Sequence, residues 1–160
     1  MPSVGKGRSC GSPLKGKRDR ALLALLLACG LRRHEAVALR LDHLQQREEH
    51  WAIVDLVGKG GHVRTVPVPD WVRTELDEWI AAAAIDRGKL FRRVNKVGRT
   101  WGDGMTAKAV WHIVKESAKR IGVAKLAPHD LQYLCSALPC FGRRAGADST
   151  RLRTRLSPND

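Results

Sequence analysis

The sequence is short of several things that would place it quickly. Its longest apolar run, Ala21 to Gly30, is ten residues, about half of what a bilayer-spanning helix needs. A basic, glycine-rich start precedes that run, as in a secretory signal, but the run leads straight into "LRRHEAVALR" with no cleavage region, so a buried helix is expected instead. Four cysteines stand at 10, 29, 135 and 140. None forms a C-x2-C pair and no histidine cluster completes a zinc set, which excludes the common structural zinc sites. Cys29 falls inside the apolar run and is expected to be a buried free thiol, as suits a reducing cytoplasm. There is a single tyrosine, and no internal repeat.

Acidic residues are also scarce. Against 29 Lys and Arg there are 16 Asp and Glu, a net charge of +13 over 160 residues. Residues 1–20 carry +5 and residues 132–160 carry +3, which leaves +5 for the middle. An excess spread over all three regions predicts a polyanionic partner, with nucleic acid ahead of an anionic membrane surface; charge alone fits a solvated basic surface almost as well.

The patterning predicts one α+β domain, mainly helical. Residues 1–16 read as a flexible basic segment. "KRDRALLALLLACG" reads as a mostly buried helix stopped by Gly30, and "LRRHEAVALR" as a short second helix with Ala36, Val37 and Leu39 on its apolar face. "HWAIVDLVGKGGHVRTVPVP" reads as a hairpin with "GKGG" as its turn, and Pro67 and Pro69 mark the return strand as an edge. Asp70 would cap a helix whose face holds Trp71, Val72, Leu76, Trp79 and Ile80. "KLFRRVNKVGRTWGDG" reads as a turn-rich loop, and the next helix runs from its cap Thr106 to its stop Gly122.

Three polar features could carry chemistry, and each has a plain structural reading. Arg32 and Arg33 could be a solvated helix start, Lys59 a turn lysine, and His129 in "PHDL" a cap for the following helix. Taken together, "CGLRRHEAVAL", "LVGKGGHVRTVPVP" and "APHDL", in this order and at these spacings, resemble the catalytic domain of the tyrosine recombinases, the phage-integrase family. The resemblance runs from about residue 17 to residue 131. It implies a small antiparallel sheet among helices and DNA cleavage by phosphoryl transfer, with a tyrosine nucleophile and no metal or other cofactor. It also implies double-stranded DNA as partner, with an intact recombinase as a second one, no membrane and no small-molecule substrate. The setting it implies is bacterial cytoplasm, nucleoid-associated, on a mobile genetic element.

By the same resemblance Arg32 would clamp the scissile phosphate, a role suited to a planar guanidinium that keeps its charge. Lys59 would protonate the leaving oxygen, and His129 would act on the nucleophile's proton. Glu35 would support the site, and Arg33 and Arg64 would contact DNA phosphates. Topoisomerases use a similar constellation; the short layout from "GLR" to "PHDL" favours the integrase side.

The resemblance breaks from residue 132 onward. The family's box reads H-x-x-R, whereas residues 129–132 read His-Asp-Leu-Gln. Gln132 replaces a charged fork with a neutral amide, and losing one preorganised donor at such a site costs roughly 2.7–4 kcal/mol of barrier. No "GH" follows, and Tyr133, four residues after His129, comes too early for the nucleophile. The remainder, residues 132–160, is basic and aperiodic and reads as an aberrant tail. One permitted coding of it, read one nucleotide later, gives "STCARLCHASGGELEQIQLVFGHVSRPT", which contains family-like "GGELEQIQ" and "GHVS". A frameshift at or just before codon 132 would explain both the lost arginine and the tail; the alternative is a diverged, disordered tail. With the C-terminal helices missing or disordered, Leu22, Leu25, Leu26 and Val110 would pack poorly and stability would be marginal. Family members usually carry an N-terminal helical DNA-clamping domain before the catalytic one, whereas only about sixteen residues are expected to precede the first helix here.

The functional classes are therefore a strand-transferase remnant that binds DNA without cleaving it, a non-catalytic basic DNA-binding protein or regulator of an intact recombinase, and an accidental translation product.

Overall fold

The computed structural model describes residues 13–123 together with Leu126 and Asp130. Helix α1 (Pro13–Cys29) leads into α2 (Arg33–Ala38), strands β1 (Leu44–Arg47), β2 (His50–Val57) and β3 (Val63–Val68), helix α3 (Asp70–Ala83), a two-stranded hairpin of β4 (Arg93–Val94) and β5 (Thr100–Trp101), and α4 (Ala107–Arg120). The fold is α+β and mainly helical, with a small antiparallel sheet in the order β1-β2-β3.

Helix α1 is apolar all round only in its second half, residues 21–29, and packs against α3. Leu22, Leu25 and Leu26 are fully buried there, and so is Val110 on α4. The expectation that these four pack poorly is thus corrected: all four lie in the core cluster, where α1 packs on α3 and α4 on α2. Residues 13–16 are corrected too: Pro13 begins α1, as suits a residue whose fixed φ favours a first helical turn. Gly30, at φ +61, ends it. Cys29 is buried, and its thiol donates to the carbonyl of Pro67, with Sγ 3.7 Å from the oxygen, linking the end of α1 to β3.

Helix α3 turns Val72, Leu76, Trp79 and Ala83 inward. Trp79 is fully buried, and its indole N–H donates to the carbonyl of Leu90 at 2.9 Å, satisfying the donor a core tryptophan must pair. Trp71 does not share this face and is half exposed. Asp70 is the first helical residue rather than the cap, a place that Pro69 holds. Its charge still lies at the positive end of the helix dipole. Thr106 caps α4 as expected, its hydroxyl accepting from the Ala109 N–H at 3.2 Å. The helix closes in a Schellman arrangement, with Gly122 at φ +80 and the Val123 N–H on the carbonyl of Ala118 at 2.9 Å.

The sheet departs from the sequence pattern in two places. Strand β1 extends the expected hairpin to three strands, pairing Leu44 with Ile53 and Arg47 with His50. Strand β2 does not alternate: its register shifts between Ile53 and Leu56, and Asp55 takes φ +53. The extra residue of this bulge keeps both Ile53 and Leu56 in the core. Strand β3 is an edge, as its prolines suggested. The segment expected as a loop contains the β4–β5 hairpin, in which Arg93 pairs with Trp101 and Val94 with Thr100.

Candidate functional site

The start of α2, the β2–β3 turn and strand β3 meet at one carboxylate. Glu35 is the third residue of α2, and its side chain is only 4% exposed. Its Oε2 accepts the backbone N–H of Arg32 at 2.7 Å, which is the reaching-back half of a capping box and satisfies one of the helix's orphan donors. The same oxygen accepts Nη2–H of Arg64 on β3 at 2.9 Å. Its Oε1 is buried with no hydrogen-bond partner among the described residues, and the Arg32 guanidinium lies 3.9 Å from it. A buried acceptor of that kind is held in place by its fellow oxygen's two bonds and by the nearby positive charge.

The β2–β3 turn closes over this oxygen. A Cβ on Gly58 would sit 3.4 Å from Glu35 Oε1 and 4.0 Å from Arg32 Nη1, so the turn approaches the carboxylate with bare backbone. The Gly58 N–H donates to the carbonyl of His62 at 2.8 Å and ties the turn off. Gly60 and Gly61 take φ +81 and +77, a conformation that glycine adopts without strain. Lys59 and His62 are both exposed on this turn.

Of the residues expected at the site, the structure thus brings together Arg32, Glu35, Arg64 and the turn that carries Lys59. Arg33, on the first turn of α2, is half-buried. Arg64 is tethered to Glu35 as well as facing solvent, with 42% of its side chain exposed. His129 and Gln132 lie outside the described residues. The sequence reading missed Gly58, whose role is close approach, and the Glu35–Arg64 pair. A glutamate three residues after a helix start was the available signal for the capping bond. Nothing local announces a partner 29 residues away.

A second polar feature lies elsewhere. Arg40, Asp86, Arg87, Gly88, Lys89, Arg92 and Asp103 line an open cleft of about 580 Å³ between the end of α2 and the roots of the β4–β5 hairpin. No helix among the described residues is long and apolar enough to cross a membrane.

Comparison with known proteins decides the family. The profile of the phage integrase family matches residues 10–140. The chain belongs to the phage integrase family. It is 32% identical over 120 residues to the tyrosine recombinase XerD of Shewanella oneidensis, a match covering 72% of this chain and 38% of that protein. It is 37% identical over 119 residues to the tyrosine recombinase XerC of Xylella fastidiosa, covering 74% and 38%. The chain therefore spans less than two-fifths of the length of these curated relatives. Among solved structures, the XerH site-specific recombinase in its post-cleavage complex with palindromic difH superposes with a TM-score of 0.65 at 22% identity, covering 79% of this chain and 35% of that one. XerA recombinase does so with a TM-score of 0.59 at 17% identity, covering 76% and 43%. The fold of this integrase-family chain is that of a tyrosine-recombinase catalytic domain.

Proposed function

We propose that this chain binds double-stranded DNA as part of a site-specific recombinase, gripping a backbone phosphate between Arg32 and the Lys59 turn. The observation that carries the reading is the Glu35 junction. One buried carboxylate orients the start of α2, holds β3 through Arg64, and seats the turn. Arg32 keeps 45% of its side chain exposed, so its guanidinium is free to make charge-assisted bonds to a phosphate. Lys59, the residue after Gly58 on the turn, would be the proton donor to a leaving oxygen, with His129 handling the nucleophile's proton. Arg33 and Arg64 add phosphate contacts.

In this reading Gln132 replaces the second clamping arginine, and the chain as written binds DNA but does not cleave it. A frameshift at or just before codon 132 accounts for the substitution and for the basic residues after it. The alternative function is a non-catalytic regulator that pairs with an intact recombinase. A nicked suicide substrate tests the main reading: the expected result is salt-sensitive binding with no covalent adduct. An adduct would overturn the defect, and absence of binding at low salt would overturn the DNA reading. Translating the coding region in the neighbouring frame tests the frameshift, which requires an arginine, a "GH" box and a tyrosine there.

A further inference from the structure

We infer that the β4–β5 hairpin is a second DNA-backbone contact surface, separate from the Glu35 junction. The inference rests on the DNA reading above and adds a partner-facing element that the junction does not use. Residues 87–99 hold six cations, Arg87, Lys89, Arg92, Arg93, Lys96 and Arg99, with no acid among them. None of the six is paired with a carboxylate among the described residues. The helices do the opposite, matching Arg20 with Glu75, Arg73 with Asp77 and Arg120 with Glu116. Surface cations left unmatched at this density repel one another, and a polyanion relieves that repulsion.

The hairpin is also built to hold its shape. Leu90 and Phe91 are fully buried at its root and Met105 nearly so. Its turn is closed by the Asn95 N–H on the carbonyl of Arg99 at 2.9 Å and by the Arg99 N–H on Asn95 Oδ1 at 2.8 Å. The Arg92 guanidinium donates to the carbonyls of Arg87 and Lys89. These bonds, both to backbone carbonyls, fix its position without neutralising its charge. Trp101 is half exposed, with the Arg93 guanidinium 5.2 Å from its ring centroid. A flat ring flanked by cations suits the sugar-phosphate edge of a duplex, with the apolar ring against the sugars and the cations on phosphates. Preorganised donors on a rigid root lose little entropy on binding.

The test is fluorescence anisotropy of a labelled duplex with the full chain, titrated between about 50 and 200 mM salt, where each phosphate contact contributes about 0.9 to the log–log slope. The triple variant R93A/K96A/R99A is expected to lower that slope by about 2 to 3 and to weaken low-salt binding at least tenfold. W101A is expected to weaken binding without changing the slope. Circular dichroism melts confirm that the variants stay folded, and each single arginine or lysine variant, lowering the slope by about one, repeats the reading if the triple does not fold. Unchanged affinity and slope in the triple variant, with tight wild-type binding, overturn the hairpin surface and leave the DNA reading standing. Failure of the wild type to bind at the lowest salt overturns both. Loss of polyglutamate binding in the triple variant with duplex binding intact overturns the inference in favour of an acidic protein partner.

Discussion

The Glu35 junction and the β4–β5 hairpin use the same arginine chemistry in opposite ways. At the junction one buried carboxylate holds two partly exposed guanidinium side chains, Arg32 and Arg64, and so fixes geometry. On the hairpin no carboxylate among the described residues pairs with a cation, and what is fixed is the backbone beneath them. A charge that is neutralised nearby can be placed accurately but attracts little at a distance; a charge left unmatched attracts but is placed only as well as its support. A protein that must find a polyanion and then position one phosphate needs both kinds. Removing a charge should therefore damage the fold at the junction and only the binding at the hairpin.

The largest expected effect comes from Glu35→Ala. It removes the acceptor of the Arg32 N–H, a bond of the kind that contributes about 1 kcal/mol at a helix start. It also removes the bond from Arg64, worth a further 1 kcal/mol or so once discounted for that side chain's exposure. A combined loss of about 2 kcal/mol should lower Tm by roughly 4–8 °C and weaken duplex binding as Arg32 and the turn come adrift. Glu35→Gln should recover part of the stability, since its amide oxygen can still accept from Arg32, and less of the binding. Thermal melts with matched anisotropy titrations decide it. If E35A melts within a degree of wild type, the junction does not hold the fold.

The glycines of the adjoining turn sharpen the comparison, because two different demands lie side by side. At Gly58 the backbone is ordinary and the demand is space: an alanine methyl would meet Glu35 Oε1 at 3.4 Å, a contact distance. Gly58→Ala should then cost well under 1 kcal/mol, while Gly58→Val, whose branches pass that distance, should cost more and displace Lys59. At Gly60 space is open enough but φ is +81, so Gly60→Ala should cost about 1–2 kcal/mol. Denaturant unfolding ranks the three. A Gly58→Ala variant less stable than Gly60→Ala would mean the turn is pressed harder onto the carboxylate than the distances indicate.

On the hairpin, Arg93→Ala should change stability by no more than about 1 kcal/mol, and Lys96→Ala and Arg99→Ala each by no more than about 0.5 kcal/mol, the range for exposed side chains away from caps and buried pairs. Arg93 should show the most of the three, because its stacking on Trp101 is worth about 0.5–1 kcal/mol where solvent reaches it. A loss above 1.5 kcal/mol in any of them would place that residue in the architecture and erase the contrast with Glu35.

The same contrast explains what could be read from the sequence. Features enforced locally were legible: Thr106 as a cap, Gly30 and Gly122 as stops, and the inward spacing of Val72, Leu76 and Trp79. Features enforced by tertiary contact were not. Strand β1 turns into β2 through Glu48 and Glu49, with Glu48 at φ +48 and no glycine or asparagine to signal the turn. The bulge at Asp55 hides in a run whose alternation looks regular until its pairing with β3 is known. The β4–β5 hairpin has strands two residues long, below what a period can reveal. At the site, the motif positions Arg32, Glu35 and Lys59 were visible, and the buried bond that joins α2 to β3 was not, because its partners are 29 residues apart.

The smallest expected effect comes from a second buried arginine–carboxylate pair, which serves as a control for the first. On α1, Arg18 is nearly buried and its guanidinium donates to Asp19 Oδ1 at 2.7 Å. Glu35 joins distant elements, whereas the carboxylate of Asp19 is hydrogen-bonded, among the described residues, to its own neighbour. Burial is the largest influence on Asp19 and raises its pKa above the ordinary 3.8; Arg18 and Lys15 pull it down, Glu116 adds a little upward, and the net direction is up. A raised carboxyl pKa means that the folded chain holds the proton more tightly than the unfolded chain. The contribution of Asp19 to stability is therefore highest below about 3.8, falls as pH rises through the raised folded value, and is flat above it. Chemical denaturation of wild type and Asp19→Asn across the mildly acidic range isolates this contribution, since asparagine does not titrate. The wild-type stability minus that of the variant should decrease with rising pH. A difference that grows with pH would mean that the pair with Arg18 outweighs burial, and that the charged form of Asp19 stabilises the fold.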